Sequence, residues 1–181
     1  MNSKKFNWKN WLVNKSSLKK SFSFYLRKGL IKEEVEKENL FKSHMKKTDY
    51  NVNFINFLLK EKVYFDWIII GCYYSIYHAS MALLTRKGFS SKNHLATLCG
   101  LIKFYYSEID ESKLNKEDIN LILKSSLDKK ELTYFTEAKS RREVASYGIK
   151  TTFNESEAKK LRLKTIQFVN KCKEILENEK C

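Results

Sequence analysis

The sequence predicts one all-α domain, a four- to five-helix up-and-down bundle with a basic aromatic N-terminal arm. Three observations predict it. The 181 residues hold no proline and only five glycines, a scarcity that favours long helices over loop-rich β structure. Apolar residues recur at spacings of three and four, the pattern of a buried helix face. Hydrophobic residues make up 43% and charged residues 31%, a globular composition on a chain long enough to bury a core unaided.

Residues 1–29 form the arm and 30–181 the bundle. The arm carries eight Lys/Arg and no Asp/Glu, with Phe6, Trp8, Trp11, Phe22, Phe24 and Tyr25 interleaved. Its helical periodicity is poor, so an irregular segment is expected. Six large aromatics want a core, which favours an arm packed onto the bundle. The other use is a nucleic-acid strap, in which aromatics stack on bases and lysines neutralise phosphates.

The first long helix is expected over 31–60. Phe41, Met45, Thr48, Val52, Ile55 and Leu59 line one face, and Glu33, Glu34 and Glu36 sit near its start, where carboxylates suit the dipole. The central helix is expected over 63–86. Val63, Trp67, Ile70, Tyr74, Tyr77, Met81 and Leu84 form one stripe; Ile69, Tyr73, Ile76 and Leu83 form a second. A helix apolar on most sides is buried among others. Gly71, Ser75, Ala79 and Ala82 make a small-residue strip that lets a neighbour approach closely, and Gly88 is a natural C′ stop.

A third helix, capped by Ser91 or Asn93, carries Leu95, Leu98, Ile102 and Tyr105; a polar loop follows over 107–115. Asn115 with Asp118 marks the next helix start. That helix is expected to reach Tyr147, with Leu123, Leu127, Tyr134, Ala138, Arg141 and Ala145 inward and Gly148 as its stop. The last helix starts near Asn154, with Glu157 three residues on. Ala158, Leu161, Thr165, Phe168, Cys172 and Ile175 line its inner face.

The formal charge of +14 attracts polyanions: nucleic acid, anionic lipid or an acidic partner. The excess is almost all lysine, with arginine only at Arg27, Arg86, Arg141, Arg142 and Arg162. A compositional bias toward lysine is the competing account, since arginine is the better bidentate fork for phosphate. Cys72, Cys99, Cys172 and Cys181 make no CxxC pair and no ligand spacing with histidine. This argues against a disulfide framework or zinc site and for a reducing, cytoplasmic setting. No cofactor or metal is expected, and no Gly-rich phosphate loop is present. The N-terminus lacks the apolar stretch of a signal peptide. Residues 67–85 run without a formal charge, but the hydroxyls and imidazole at their centre would be costly at a bilayer midplane, so no membrane span is expected.

Two spots depart from plain bundle logic. On the central helix, Tyr73, Tyr74, Tyr77 and His78 are bulky with polar tips, and Tyr74 and His78 share a face. They serve either as core with satisfied hydroxyls or as a site. The second spot is Ser140-Arg141-Arg142-Glu143 leading to Tyr147-Gly148. Arg141 on an apolar stripe needs an anion: Asp66 or Glu143 within the fold, or a bound phosphate.

Together, Tyr73-Tyr74-Ser75-Ile76-Tyr77-His78-Ala79, Gly88, Ser91-Lys92-Asn93-His94, and Arg142 through Tyr147-Gly148 resemble the HEPN domain (higher eukaryotes and prokaryotes nucleotide-binding). The likeness is to the small stand-alone archaeal and bacterial type and spans roughly 31–177. It implies a helical bundle, usually a symmetric homodimer. Many members are metal-independent ribonucleases with an Arg-x4–6-His motif; others pair with a small nucleotidyltransferase in toxin–antitoxin systems. Arginine would stabilise charge on phosphorus and histidine would move the 2′-hydroxyl proton. Arg142 matches the motif arginine, but the fifth residue on is Tyr147, and the alternative register places Ala145 at the histidine position. Tyrosine, with a pKa of about 10, is a poor base at neutral pH. The incomplete motif implies a defence-type binding module for RNA, nucleotide or a nucleotidyltransferase partner. Its expected contacts are Arg141, Arg142, Tyr73, Tyr74, His94 and Lys92. The alternative is an atypical ribonuclease using Arg142 with Tyr147 or His78. A third reading is a purely structural interaction protein.

Overall fold

The computed structural model describes residues 8–127 and 154–179. The fold is all-α with one short two-stranded ribbon. In chain order the elements are α1 (Lys9–Val13), α2 (Lys15–Arg27), β1 (Ile31–Glu33), α3 (Lys37–Lys60), α4 (Phe65–Arg86), β2 (Phe89–Ser91), α5 (His94–Tyr105), α6 (Lys116–Leu127) and α7 (Glu155–Asn178).

Helix α4 is the centre of the bundle and touches α3, α5, α6, α7 and β2. Its sequence favours this position: twelve of its residues from Ile68 to Thr85 are buried, as suits a helix apolar on most sides, although Trp67 and Tyr74 of the expected apolar stripe face solvent. It alone among the described residues is long and apolar enough to cross a membrane, yet 67% of its apolar window is buried inside the fold. The small-residue strip lies inward as expected, with Gly71, Ser75, Ala79 and Ala82 all buried. A side chain at Gly71 would collide with Ile55 of α3, so the missing Cβ sets how closely α3 and α4 approach.

Asparagine starts four of the helices. Asn14 accepts from the Ser17 amide at 2.9 Å, and Asn93 from the Ala96 amide at 3.0 Å. Asn115 accepts from the amides of Glu117 and Asp118, while the Asp118 carboxylate accepts from the Asn115 amide at 2.8 Å. Asn154 and Glu157 close a reciprocal capping box. Each such cap contributes about 1 kcal/mol. Gly88, at φ +81°, ends α4 as its position foretold.

Three expectations need correction. The helix anticipated over 31–60 begins only at Lys37, because Ile31–Glu33 is a strand. It pairs antiparallel with β2 in the register Ile31 to Ser91, Lys32 to Ser90 and Glu33 to Phe89. Gly29, at φ +64°, turns the chain out of α2 and Gly88 turns it out of α4, and the two exits align. Glu34 therefore does not cap a helix: its amide bonds to the Gly88 carbonyl at 2.9 Å and its carboxylate accepts from the Ser90 hydroxyl. Second, the described part of the arm, from Trp8 on, is helical, not irregular, and Phe6 lies outside the described residues. Trp11, Leu18, Phe22 and Tyr25 are buried on α1 and α2 and belong to the same cluster as the inner faces of α4, α5 and α7. Third, α6 turns Ile119 and Ile122 inward, while Leu123 is only partly buried. A salt bridge from Lys171 of α7 to Asp118 at 2.9 Å fixes that rotation.

Cys72, Cys99 and Cys172 are buried free thiols. At the far end of the bundle the Tyr105 hydroxyl is shared between the Leu83 carbonyl (2.9 Å) and Glu179 (3.2 Å), and Lys87 closes on Glu179 at 2.6 Å.

Candidate functional site: a histidine–tyrosine patch on helices α3 and α4

The turn between α3 and α4 passes through Lys62 and Tyr64, both at positive φ, and returns α4 antiparallel along α3. The close approach at Gly71 carries the register up the hairpin, so that His44 of α3 meets His78 of α4. Their Nδ1 atoms lie 2.9 Å apart, with ring centroids at 5.2 Å. One nitrogen must donate and the other accept, so the contact needs a single proton between the two rings.

From His78 a run of rings continues over α4 to α5. Tyr74 stacks on His78 at 6.5 Å, and Tyr77 meets it edge-on at 5.1 Å. Tyr77 stacks with Tyr73 at 6.3 Å, and the Tyr73 hydroxyl lies 3.3 Å from Nε2 of His94. All three histidines of the chain thus belong to one patch. Tyr74 is 41% exposed; His44, His78, Tyr73, Tyr77 and His94 are half-buried.

Burial controls the protonation of the patch. It lowers the pKa of His44 and brings His78 from its ordinary 6.5 to about 4, with His44 and the Lys47 ammonium adding to the effect. Burial raises Tyr73 to about 12, helped by Tyr74 and Tyr77, and also raises Tyr77. At neutral pH His44 and His78 are neutral, able to accept a proton, while Tyr73 and Tyr77 remain phenols that donate hydrogen bonds. Flat rings, phenol donors and neutral imidazoles suit the stacking and hydrogen bonding of a heterocyclic base.

Of the residues singled out in the sequence, the structure brings His78, Tyr73, Tyr74 and His94 together. Lys92 is exposed two residues before His94. Arg141, Arg142 and Tyr147 lie outside the described residues, as does Glu143. Asp66, the other internal partner considered for Arg141, has a buried Oδ1 with no hydrogen bond among the described residues. Sequence reasoning missed His44. Its signal was available: it is one of three histidines and stands four residues before the buried Thr48. No group of three or more His, Cys, Asp or Glu able to hold a metal ion occurs among the described residues.

Comparison with protein-family models gives no match, and comparison with curated proteins gives none either.

Proposed function

We propose that this chain is a cytoplasmic, homodimeric HEPN-like binding module that holds RNA or a nucleotide on the histidine–tyrosine patch. One observation carries the reading: a continuous run of rings from His44 to His94, with Tyr74 exposed at its edge. The Lys47 charge acts on His78, and the chain as a whole carries +14. Stacking rings beside ammonium groups bind single-stranded nucleic acid with little sequence preference. The resemblance in the motif residues of α4 and the start of α5 points the same way.

A second reading rests on the neutral His44–His78 pair: an atypical metal-independent ribonuclease. An imidazole would take the proton of a ribose 2′-hydroxyl as O2′ bonds to phosphorus. The P–O5′ bond would break, and the proton would pass to O5′, leaving a 2′,3′-cyclic phosphate and a free 5′-hydroxyl.

RNA retention and cleavage by the purified protein, with chelator present, test both readings. Retention that weakens steeply with salt, without cleavage, is expected. Cleavage abolished in His78→Gln would install the ribonuclease reading. Neither activity would overturn both and leave a protein partner.

A further inference from the structure

Helix α3 is apolar on two faces. Ile55 and Leu58 are buried on the inner one. On the outer face Lys47, Tyr50, Phe54, Phe57 and Glu61 follow at spacings of three, four, three and four, and all five are exposed. That is the spacing of a helix-pairing seam, here about 21 Å long. Helix α4 widens it on one side. Phe54 Cδ1 lies 3.5 Å from where a Cβ would stand on Gly71, and Trp67 is one turn before Gly71 on the same face. Tyr50, Phe54, Phe57 and Trp67 are between 37% and 64% exposed. At about 150–250 Å² per aromatic side chain, they leave roughly 300–500 Å² of ring in solvent. A homodimer partner of standard size covers about 500 Å² of apolar surface, so these rings supply most of one interface.

We propose that this stripe is the seam of a homodimer, on which a second copy of the chain lays its own α3 antiparallel. The inference rests on the homodimer of the reading above and assigns its surface. A two-fold contact must be self-complementary, and the stripe is. Phe54 stands midway between Lys47 and Glu61. A two-fold axis at Phe54 packs that ring on its own copy and sets Tyr50 against Phe57 of the partner subunit. At each end of the seam it brings Lys47 to Glu61 of the partner subunit. Parallel pairing would set lysine on lysine and glutamate on glutamate, so charge selects the antiparallel arrangement. Both charges are available for it, since neither makes an ion pair among the described residues. Lys47 holds its ammonium over the Tyr50 ring at 4.9 Å, at the rim of the aromatic surface. A nucleic-acid strand fits the stripe less well, because Glu61 would repel its phosphates. His44 is one turn before Lys47, so the seam carries one histidine–tyrosine patch at each end.

Sedimentation equilibrium of the full chain at low salt reads the dissociation constant of the dimer. The wild type is expected to dimerise. Phe54→Glu sets two carboxylates face to face on the axis and should raise the constant about thirtyfold or more. Lys47→Glu and Glu61→Lys each create a like-charge pair at both ends and should each raise it about tenfold or more. The Lys47→Glu/Glu61→Lys double variant restores opposite charges and should recover most of the loss. Circular dichroism establishes that each variant folds, and the charge reversals alter only exposed side chains. A dimer unchanged by Phe54→Glu and by both single reversals overturns the seam and leaves the homodimer standing. Single reversals that weaken the dimer without recovery in the double variant overturn the antiparallel pairing. A monomeric wild type overturns seam and homodimer together; if RNA retention then falls in Phe54→Glu, the stripe belongs to nucleic acid.

Discussion

His44 Nδ1 and His78 Nδ1 share one hydrogen bond at 2.9 Å across the α3–α4 hairpin, and the Lys47 charge acts on His78. That contact tolerates one proton and resists a second. His78 has its pKa lowered from 6.5 to about 4, and His44 is lowered too. Between those limits the unfolded chain binds protons that the folded chain refuses. The stabilising term is therefore complete above the ordinary histidine pKa and is lost as pH falls through the folded-state value. Thermal melting of the protein should show a falling midpoint from about pH 7 to about pH 5. The His44→Gln/His78→Gln double variant should fall less over the same window. Parallel curves for the two proteins would remove the pair as the cause.

Gly71 and Gly100 test close packing at two different contacts. A Cβ at Gly71 would strike Ile55, a β-branched side chain with one strongly favoured rotamer in a helix. A Cβ at Gly100 would meet Leu84 Cδ1 at 2.6 Å, the end of a more adjustable chain. Overpacking costs about 1–3 kcal/mol, and Gly71→Ala belongs near the top of that range, with Gly100→Ala below it. Urea denaturation ranks the two. The reverse order would mean that Ile55 of α3 yields more easily than Leu84 of α4.

The arm is expected to behave as core. Phe22 is 2% exposed, meets Phe89 and Phe104 edge-on at 5.4 Å each, and has Lys103 Nζ over its ring at 3.9 Å. Phe22→Ala should destabilise the whole domain by about 3–5 kcal/mol, in one cooperative transition. A variant that melts in two steps, with the bundle unaffected, would make the arm a separate unit.

The elements legible in the sequence are those with long apolar stripes and explicit caps. Central helix α4, the Asn93, Asn115 and Asn154 starts, and the Gly88 stop all follow from side-chain periodicity and local hydrogen bonding. The β1–β2 ribbon does not, because Ile31 pairs with Ser91 sixty residues away and three residues are too few to show a period. The arm helices were hidden for a related reason. Asn14 breaks the run, so the spacing from Trp11 to Leu18 to Phe22 crosses a helix boundary. In the site, Tyr74 and His78 were readable as neighbours on one helix face. His44 was not tied to them, since only the packing of α3 on α4 brings residues 34 apart into contact.

Nucleic-acid binding on the patch should divide into two separable parts. Tyr74 is the most exposed ring of the run and stacks on His78. Base stacking on an aromatic is worth about 1–3 kcal/mol by alanine substitution, so Tyr74→Ala should weaken retention of a short single-stranded RNA about tenfold or more. Its salt dependence should stay unchanged, because no charge is lost. Tyr74→Phe should keep most of the affinity. Lys47 offers charge in place of a ring, and its side chain already reaches over Tyr50 at 4.9 Å. Lys47→Ala should flatten the slope of log affinity against log salt by about one, with a smaller loss at high salt than at low. Titrations at several salt concentrations separate the two effects. If both variants shift affinity equally at every salt concentration, the patch acts through its fold and not through stacking and charge. If neither shifts it, RNA is held elsewhere on the basic surface.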